Sequence, residues 1–277
     1  MDDGERWRAA RRIPPIGWHR ERHHRLYSED EMIDRPPAQL NPQGIALFLD
    51  FDGTLVRFDR PDQSLPVVDA RLKSLLVELL GALDGALAVV SGRALDTLEG
   101  LLAPLRLAAA GEHGSQWRMA PNAPRQSIDV SASLRTMPAA CQALLARFPG
   151  VRLEVKPHSL VLHFHGQPAL RDELAQAVGQ LCLPDTGMAL LHARGMVEIK
   201  SADVDKGVAV TRFMGHTPFA GRTPVYVGDD VSDERAFAAI NALGGISVKV
   251  GAGPSHARFR LDDDRAVREW LGELLRA

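Results

Sequence analysis

From Ile45 onward the chain alternates short apolar runs with stretches of helical spacing, and this alternation constrains the fold more than any other sequence feature. The run at Ile45–Leu49 is continuously apolar, as expected of a strand that is buried on both faces of a sheet. Residues 69–80 place leucines at helical spacing, and strand-like runs at 86–90 and 105–110 flank another helical stretch at 95–102. Because alternating strands and helices form parallel sheets with crossover helices, the sequence predicts an α/β fold.

The middle of the chain follows a different order. Two of its segments have helical spacing, and four short segments resemble paired antiparallel strands. We predict helices over 131–148 and 169–181 and strands over 151–155, 160–164, 188–192 and 196–199. The first pattern then returns, with helices over 208–214, 233–241 and 265–275 and strands over 225–227 and 246–250. The sequence therefore predicts one open sheet that is interrupted by a smaller α/β module.

These patterns divide the chain into three parts. Residues 1–41 are rich in arginine, histidine and proline and have little apolar periodicity, so we predict an irregular N-terminal extension. The main α/β domain comprises residues 42–125 and 199–277. Residues 126–198 form the inserted module.

Composition narrows the class of protein. The 277 residues carry a formal net charge of −2, which argues against nucleic acid or an anionic membrane as the main partner. No apolar run approaches the roughly 18 residues of a membrane-spanning helix. The two cysteines, Cys141 and Cys182, do not have the spacing of a metal site and suit a reducing compartment. We therefore expect a cytoplasmic protein that acts on small molecules.

Two carboxylates follow the first strand directly. Asp50 and Asp52 stand in the run Asp-Phe-Asp-Gly-Thr-Leu, just after Ile45–Leu49. Ligands of open α/β sheets bind beyond the carboxyl ends of the strands. Two acids at such a position repel each other unless a cation or a proton relieves them. An ordinary Asp-Gly turn would not need both acids, so we predict that the pair is functional.

A second acidic run follows the strand predicted over 225–227. Gly-Asp-Asp-Val-Ser-Asp-Glu spans residues 228–234, and its four acids include Asp229 and Asp233. Acids at the start of a helix are common without any ligand, because they interact favourably with the helix dipole. The matching strand end favours function, because Mg²⁺ prefers a few carboxylates together with water and phosphate. With Asp50, these residues predict a magnesium site.

Both acidic runs resemble motifs of the haloacid-dehalogenase-like (HAD) phosphatases, namely DxDGT and GDDxxDE. The resemblance implies a Rossmann-like core with an inserted cap, a nucleophile at Asp50 and a general acid at Asp52. It also implies that Asp229 ligates Mg²⁺ with Asp233 supporting it, and that the Asp52 carbonyl oxygen is a further ligand. The family's phosphate-binding motifs match Ser91, which precedes Gly92 and Arg93, and Lys206. All four motifs occur in the family's order.

Much of residues 44–275 further resembles the trehalose-6-phosphate phosphatase family. Gly-Glu-His-Gly at 111–114, Glu-Val-Lys at 154–156 and Val-Glu-Ile-Lys at 197–200 carry the resemblance. A strand over 151–155 puts Glu154 and Lys156 on one face, where charged groups suit sugar hydroxyls. The resemblance implies Mg²⁺-dependent hydrolysis of trehalose 6-phosphate to trehalose and phosphate through an aspartyl-phosphate. It implies a sugar site of Glu154, Lys156, His163, Glu198 and His113, and a trehalose-6-phosphate synthase in the same pathway.

Other functions stay open at this point. Ser201 stands where the family usually has proline, and Ser-Gln-Trp at 115–117 replaces the residues common there. A phosphatase for sucrose phosphate or mannosyl-phosphoglycerate would use the same core. A sugar-phosphate sensor without turnover would use the same fold but would not need a nucleophile at Asp50. A phosphomutase would transfer the phosphoryl group instead of releasing phosphate.

Overall fold

The computed structural model describes residues 25–57, 65–164, 166–182, 187–193 and 195–276. Of the predicted N-terminal extension, residues 1–24 lie outside the described part. The described chain forms two sheets with helices packed on them, which confirms the predicted α/β fold. The order of helices and strands also agrees with the sequence prediction.

The larger sheet has eight strands, and most of them are parallel. Its strands are β1 (Ile45–Leu49), β2 (Leu87–Val90), β3 (Ala108–Gly111), β4 (Gln116–Arg118), β5 (Gln126–Ser127), β10 (Thr223–Gly228), β11 (Ile246–Val250) and β12 (Phe259–Leu261). They lie in the order β12-β11-β10-β1-β2-β3-β4-β5. All pairs from β12 to β3 are parallel, whereas β3–β4 and β4–β5 are antiparallel. Because β1 and β10 are neighbours, both acidic sequence runs begin at the same edge of the sheet.

Five helices pack on this sheet. They are α1 (Ala70–Ala82), α2 (Leu95–Leu102), α5 (Lys206–Met214), α6 (Glu234–Ala242) and α7 (Asp264–Leu274). Aspartate side chains cap several of their N-termini; Asp69, for example, accepts a hydrogen bond from the backbone N–H of Leu72. Helix α1 packs against α7, and α5 packs against α6. The apolar faces of these helices and the central strands form one continuous core.

The smaller sheet confirms the predicted middle module. It has four antiparallel strands in the order β6-β7-β9-β8, with two helices. The elements are α3 (Ala132–Leu144), β6 (Arg152–Val155), β7 (Ser159–His163), α4 (Arg171–Cys182), β8 (Met188–Ala193) and β9 (Met196–Ser201). Leu160 and Leu162 of β7 pack into a core shared with the two helices. Since side chains alternate along a strand, Ser159, Val161 and His163 lie on the opposite face.

Three short strands were not predicted. Strands β4, β5 and β12 have three, two and three residues, respectively. Segments of this length show no alternation that could distinguish a strand from a loop. Pairing with a neighbouring strand, and not the local sequence, therefore determines that these residues form strands.

The described end of the N-terminal extension lies along the edge of the larger sheet. Tyr27 exchanges two backbone hydrogen bonds with Ser255, and Ile33 bridges Phe259 in β12. The indole N–H of Trp270 donates to the carbonyl oxygen of Pro37 at 3.1 Å. Unpaired edge strands invite aggregation, so residues 25–40 protect the β12 edge. Among the described residues, none of the helices has the length and apolar character needed to cross a membrane.

Candidate active site

The ends of β1 and β10 place the two acidic runs side by side. Leu49 pairs with Val227, and the Asp50 backbone N–H donates to the Val227 carbonyl oxygen at 2.9 Å. Asp50 follows β1, and Asp229 follows β10 directly. Oxygen atoms of Asp50, Asp229 and Asp233 all lie within 4.8 Å of one another. The fold therefore brings together three of the acids predicted for metal binding.

A buried lysine joins this acidic cluster. Lys206 begins α5, and its Nζ lies 2.8 Å from Asp50 Oδ1 and 2.7 Å from Asp233 Oδ1. Lys206 is only 2% exposed, so water screens these contacts weakly. Burial opposes the charge on the Lys206 ammonium, but Asp233 and Asp50 outweigh burial and raise its pKa well above the ordinary value. The lysine therefore carries a positive charge between two carboxylates.

Asp233 has few lone pairs left for another ligand. Besides Lys206, its Oδ1 accepts a hydrogen bond from the Tyr226 hydroxyl at 2.6 Å. Its Oδ2 accepts from the backbone N–H groups of Asp229 and Asp230 at 3.0 and 2.9 Å. These contacts fix the loop that carries Asp229, which is consistent with a supporting role. No sequence pattern indicated that the Tyr226 hydroxyl would bind Asp233.

The charges of this cluster are poorly balanced without a cation. Burial raises the pKa of Asp50 well above its usual range, and the Asp233 charge adds to the effect. Burial and the Asp233 charge also raise the pKa of Asp229 to about 6. Hard oxygen donors that repel each other in this way fit a divalent cation such as Mg²⁺.

Glycine at position 53 leaves room for Asp229. Gly53 has φ +79°, and a Cβ atom added there would lie 2.0 Å from Asp229 Oδ2. Both the backbone conformation and the close approach therefore require glycine. The Thr54 hydroxyl lies 3.4 Å from Asp229 Oδ1 and supports the same side chain.

Replacing Gly53 with alanine should therefore displace Asp229. We expect Gly53→Ala to raise the Mg²⁺ concentration for half-maximal activity by about 10- to 100-fold, a typical cost of disturbing a metal ligand's support. A titration of activity with MgCl₂ measures this shift. Gly81→Ala is the matched control, because nothing lies within 4 Å of a Cβ atom at that position in α1. An unchanged Mg²⁺ requirement in Gly53→Ala would contradict the assignment of Asp229.

Asp52 is held by the predicted phosphate-binding arginine. Arg93 Nε and Nη2 each donate to one oxygen of the Asp52 carboxylate at 2.6 Å. Such a two-point contact fixes the orientation of a carboxylate as well as its position. The structure thus places Arg93 beside the predicted general acid.

The loop after β2 carries the other predicted phosphate donors. Ser91 is buried, and its Oγ accepts from the backbone N–H of Arg93 at 3.1 Å. The His113 backbone N–H donates to the Ser91 carbonyl oxygen at 2.9 Å. A Cβ atom at Gly92 would lie 2.7 Å from His113 Cε1, so glycine lets the histidine ring approach the loop.

Two residues of the inserted module that were predicted to bind sugar reach the loops after β2 and β3. Glu198 Oε2 lies 2.9 Å from His113 Nε2, and the Lys156 ammonium donates to the Gly92 carbonyl oxygen at 3.2 Å. Burial disfavours the Glu198 charge, but His113 and Lys156 outweigh burial and lower its pKa to about 2. Glu154 instead contacts His163, whose Nε2 lies 2.7 Å from Glu154 Oε2. Glu198, Lys156 and His113 therefore converge, and Glu154 forms a separate pair with His163.

A second contact between the two sheets was missed by sequence reasoning. The buried Glu112 carboxylate accepts from the His158 backbone N–H at 2.9 Å and lies 3.5 Å from His158 Nδ1. Gln116 Nε2 is 3.3 Å from the same ring nitrogen. Glu112 and His113 both have positive φ, at 45° and 58°. The Glu-His-Gly run was visible in the sequence, but its partner at His158 was not.

Comparison with known proteins agrees with this architecture. The trehalose-phosphatase family model matches residues 48–265. The chain is 37% identical over 227 residues to trehalose-6-phosphate phosphatase of Escherichia coli K12, covering 82% of this chain and 85% of that protein. A probable trehalose-phosphate phosphatase of Sinorhizobium fredii is 36% identical over 207 residues, with 74% and 77% covered.

Solved structures show the same fold. The C-terminal domain of Candida albicans trehalose-6-phosphate phosphatase has a TM-score of 0.76 at 20% identity, covering 89% of this chain and 99% of that one. A haloacid dehalogenase-like hydrolase from Bacteroides thetaiotaomicron has a TM-score of 0.59 at 14% identity, with 82% and 98% covered. These structures confirm the HAD-like fold. On the family match and the identity to curated phosphatases, this chain is an enzyme of the trehalose-phosphatase family.

Proposed function

We propose that this enzyme hydrolyses trehalose 6-phosphate to trehalose and phosphate through an aspartyl-phosphate at Asp50. One observation carries the proposal: Asp50, Asp229 and Lys206 meet at the carboxyl ends of β1 and β10. Glu198 of the inserted module contacts His113 after β3, and Lys156 contacts Gly92 after β2. The proposed phosphoryl site and the proposed sugar-binding groups are therefore neighbours. The relatives named above supply the choice of sugar.

The reaction proceeds in two steps. A carboxylate oxygen of Asp50 attacks phosphorus, the bond from phosphorus to the sugar oxygen breaks, and Asp52 gives a proton to that oxygen. Water then attacks the phosphoryl group on Asp50, Asp52 takes a proton from the water, and phosphate leaves. Asp50 and Asp52 return to their starting forms. Arg93 orients Asp52 in the free protein, and its guanidinium passes to the phosphoryl group when substrate binds, which leaves Asp52 able to transfer protons.

Other residues bind the charge of the phosphoryl group. Mg²⁺ held by Asp50, Asp229 and the Asp52 carbonyl oxygen, with Asp233 in support, would offset the charge of the carboxylates and the phosphoryl oxygens. Lys206 neutralises Asp50 in part and stabilises negative charge that develops at phosphorus. The Ser91 hydroxyl, the Gly92 backbone N–H and the Arg93 guanidinium donate to the phosphoryl oxygens, while the Arg93 backbone N–H holds Ser91 Oγ.

The inserted module acts as a cap in this proposal. Residues 126–198 lie between the two segments of the core, 42–125 and 199–277, and they carry Glu154, Lys156, His163 and Glu198. With His113 of the core, these side chains would bind the sugar hydroxyls, because carboxylates accept and ammonium and imidazole groups donate hydrogen bonds. The reaction class that must supply a disaccharide phosphate is glycosyl transfer to a sugar phosphate. A synthase and a phosphatase are fused in the Thermoproteus tenax relative, which is 30% identical over 258 residues (90% of this chain and 34% of that protein).

Phosphate release tests the function directly. We expect the protein to release phosphate from trehalose 6-phosphate in the presence of MgCl₂. Removal of divalent ions with EDTA should abolish release, and added MgCl₂ should restore it, because the acidic cluster then regains its cation. Activity that persists after exhaustive chelation would contradict the metal-dependent mechanism.

A panel of substrates separates the alternatives. Sucrose-phosphatase from Synechocystis has a TM-score of 0.58 at 19% identity, which shows a shared fold only. Sucrose 6-phosphate and mannosyl-phosphoglycerate therefore belong in the panel, and a preference for either would overturn the choice of sugar. Binding of trehalose 6-phosphate without phosphate release would favour a sensor. Transfer to a second sugar would favour a phosphomutase.

A further inference from the structure

Two buried polar atoms in the cap have no hydrogen-bond partner among the described residues. They are Ser159 Oγ and Glu198 Oε1. Ser159 is 2% exposed and Glu198 is 1% exposed, so bulk water does not satisfy either atom. An unsatisfied buried polar group costs stability, and a native protein retains one where a ligand or bound water completes it. The two atoms therefore indicate a missing partner.

Neighbouring groups explain why these atoms stay free. His113 Nε2 contacts the other oxygen of Glu198, Oε2, at 2.9 Å, and this contact leaves Oε1 available. Lys156 Nζ is 3.9 Å from Oε1, which is too far for a hydrogen bond. Lys200 lies directly opposite Ser159 in the sheet, but its ammonium donates to the carbonyl oxygens of Val204 and Ser201.

Both atoms belong to the sheet face that carries the sugar-binding residues. Ser159 begins β7, two residues before Val161, which pairs with Glu198 in β9. The alternate residues Leu160 and Leu162 point into the helical core of the cap. Burial opposes the Glu198 charge, whereas His113, Lys156 and, with the smallest effect, the nearby Ser159 hydroxyl lower its pKa to about 2. The contact between Ser159 and Glu198 falls short of hydrogen-bond geometry. The turn before Ser159 contacts the core through Lys156 and His158.

We propose that Ser159 is a specificity-determining residue that binds one sugar hydroxyl together with Glu198 Oε1. A sugar hydroxyl donates one hydrogen bond and accepts others, so it can donate to Glu198 Oε1 and accept from Ser159 Oγ. His113 positions the carboxylate by holding its other oxygen. This inference rests on the proposed function, because it deepens the description of the same sugar site.

The test compares two substrates in Ser159→Ala. For trehalose 6-phosphate we expect a loss in kcat/KM of about 3- to 10-fold, the usual effect of one neutral hydrogen bond. For phenyl phosphate, which has no sugar hydroxyls, kcat/KM of Ser159→Ala should stay close to the wild-type value. Ser133→Ala, in α3 on the opposite side of the cap sheet, is the matched control and should change neither substrate's kinetics.

Stability and analogues distinguish a binding role from a structural one. Since the contact of Ser159 Oγ with Glu198 falls short of a hydrogen bond, Ser159→Ala should melt at the same temperature as wild type or above it. For the monodeoxy analogue of trehalose 6-phosphate that lacks the bound hydroxyl, wild type and Ser159→Ala should have the same kcat/KM.

Three results would overturn this proposal: equal losses on both substrates, a lowered melting temperature, or a difference that no analogue removes. A wild-type enzyme that releases no phosphate from trehalose 6-phosphate would instead overturn the proposed function, which is a separate outcome.

Discussion

Asp50→Asn should lower kcat for trehalose 6-phosphate by at least about 10⁴-fold, because asparagine cannot form the acyl phosphate on which turnover depends. Asparagine has nearly the same size as aspartate, and the backbone hydrogen bond from residue 50 to the Val227 carbonyl oxygen does not depend on the side chain. Acid quenching of wild type with labelled substrate should trap a phosphoryl-protein, and the variant should trap none. Phosphate release close to the wild-type rate would show that Asp50 is not the nucleophile.

Folding of the variant can be judged separately from its chemistry. Burial and the Asp233 charge raise the folded-state pKa of Asp50. The wild-type protein therefore loses stability as pH rises from the ordinary Asp50 pKa of 3.8 through this raised value, because Asp50 then ionises in the folded state. Asparagine stays neutral, and Asp50→Asn should therefore melt no lower than wild type in metal-free buffer at pH 8. Asp172→Asn, at an exposed position in α4, controls for the substitution itself. A large drop in the melting temperature of Asp50→Asn would show that the activity is lost through unfolding.

Lys206→Met should destabilise the protein by about 3–5 kcal/mol at neutral pH, because it leaves buried carboxylates without their cation. Lys206 Nζ contacts both Asp50 and Asp233 within 2.8 Å, and all three side chains are buried. Methionine keeps much of the volume and removes the charge. Activity should fall together with stability, because Lys206 is the proposed cationic partner of both the nucleophile and the phosphoryl group. Urea unfolding measures the first effect, and phosphate release measures the second.

The pH dependence of this loss has a definite sign. Without Lys206, burial and the Asp233 charge raise the folded-state pKa of Asp50 with no neighbouring ammonium to offset them. The stability of the variant should therefore fall, relative to wild type, as pH rises from the ordinary value of 3.8 through the raised pKa of Asp50. The difference should be larger at pH 8 than at pH 5. Lys73→Met, in α1, serves as the control, and a deficit that does not depend on pH would contradict the charge-pairing explanation.

Local sequence patterns were sufficient for the order of elements and for the position of the acidic residues. The continuous run Ile45–Leu49 and the helical spacing of 95–102 required no tertiary information, and both elements have the predicted bounds. Asp50 and Asp229 were predicted to meet because parallel strands present their carboxyl ends at one edge of a sheet. The strand order, with β1 beside β10, brings them together.

Other features were beyond the sequence because they depend on contacts between distant segments. No spacing indicates that Arg93 contacts Asp52, that Lys206 contacts both Asp50 and Asp233, or that Glu112 contacts His158. The β12 edge is covered by residues 25–40, although that extension was predicted to be irregular from its weak periodicity. Periodicity reports which face of a segment is buried, and it carries no information on what covers that face.

The sequence by itself determined the α/β class, the inserted module and the chemistry available at the strand ends, since each follows from local spacing and residue type. Only the tertiary structure decided which groups are paired and which are left free. Whether Glu198 has a free oxygen depends on His113, which lies 85 residues earlier in the chain, and on how the cap meets the core. Such pairings arise from the docking of two sheets, a long-range property that no single stretch of sequence encodes.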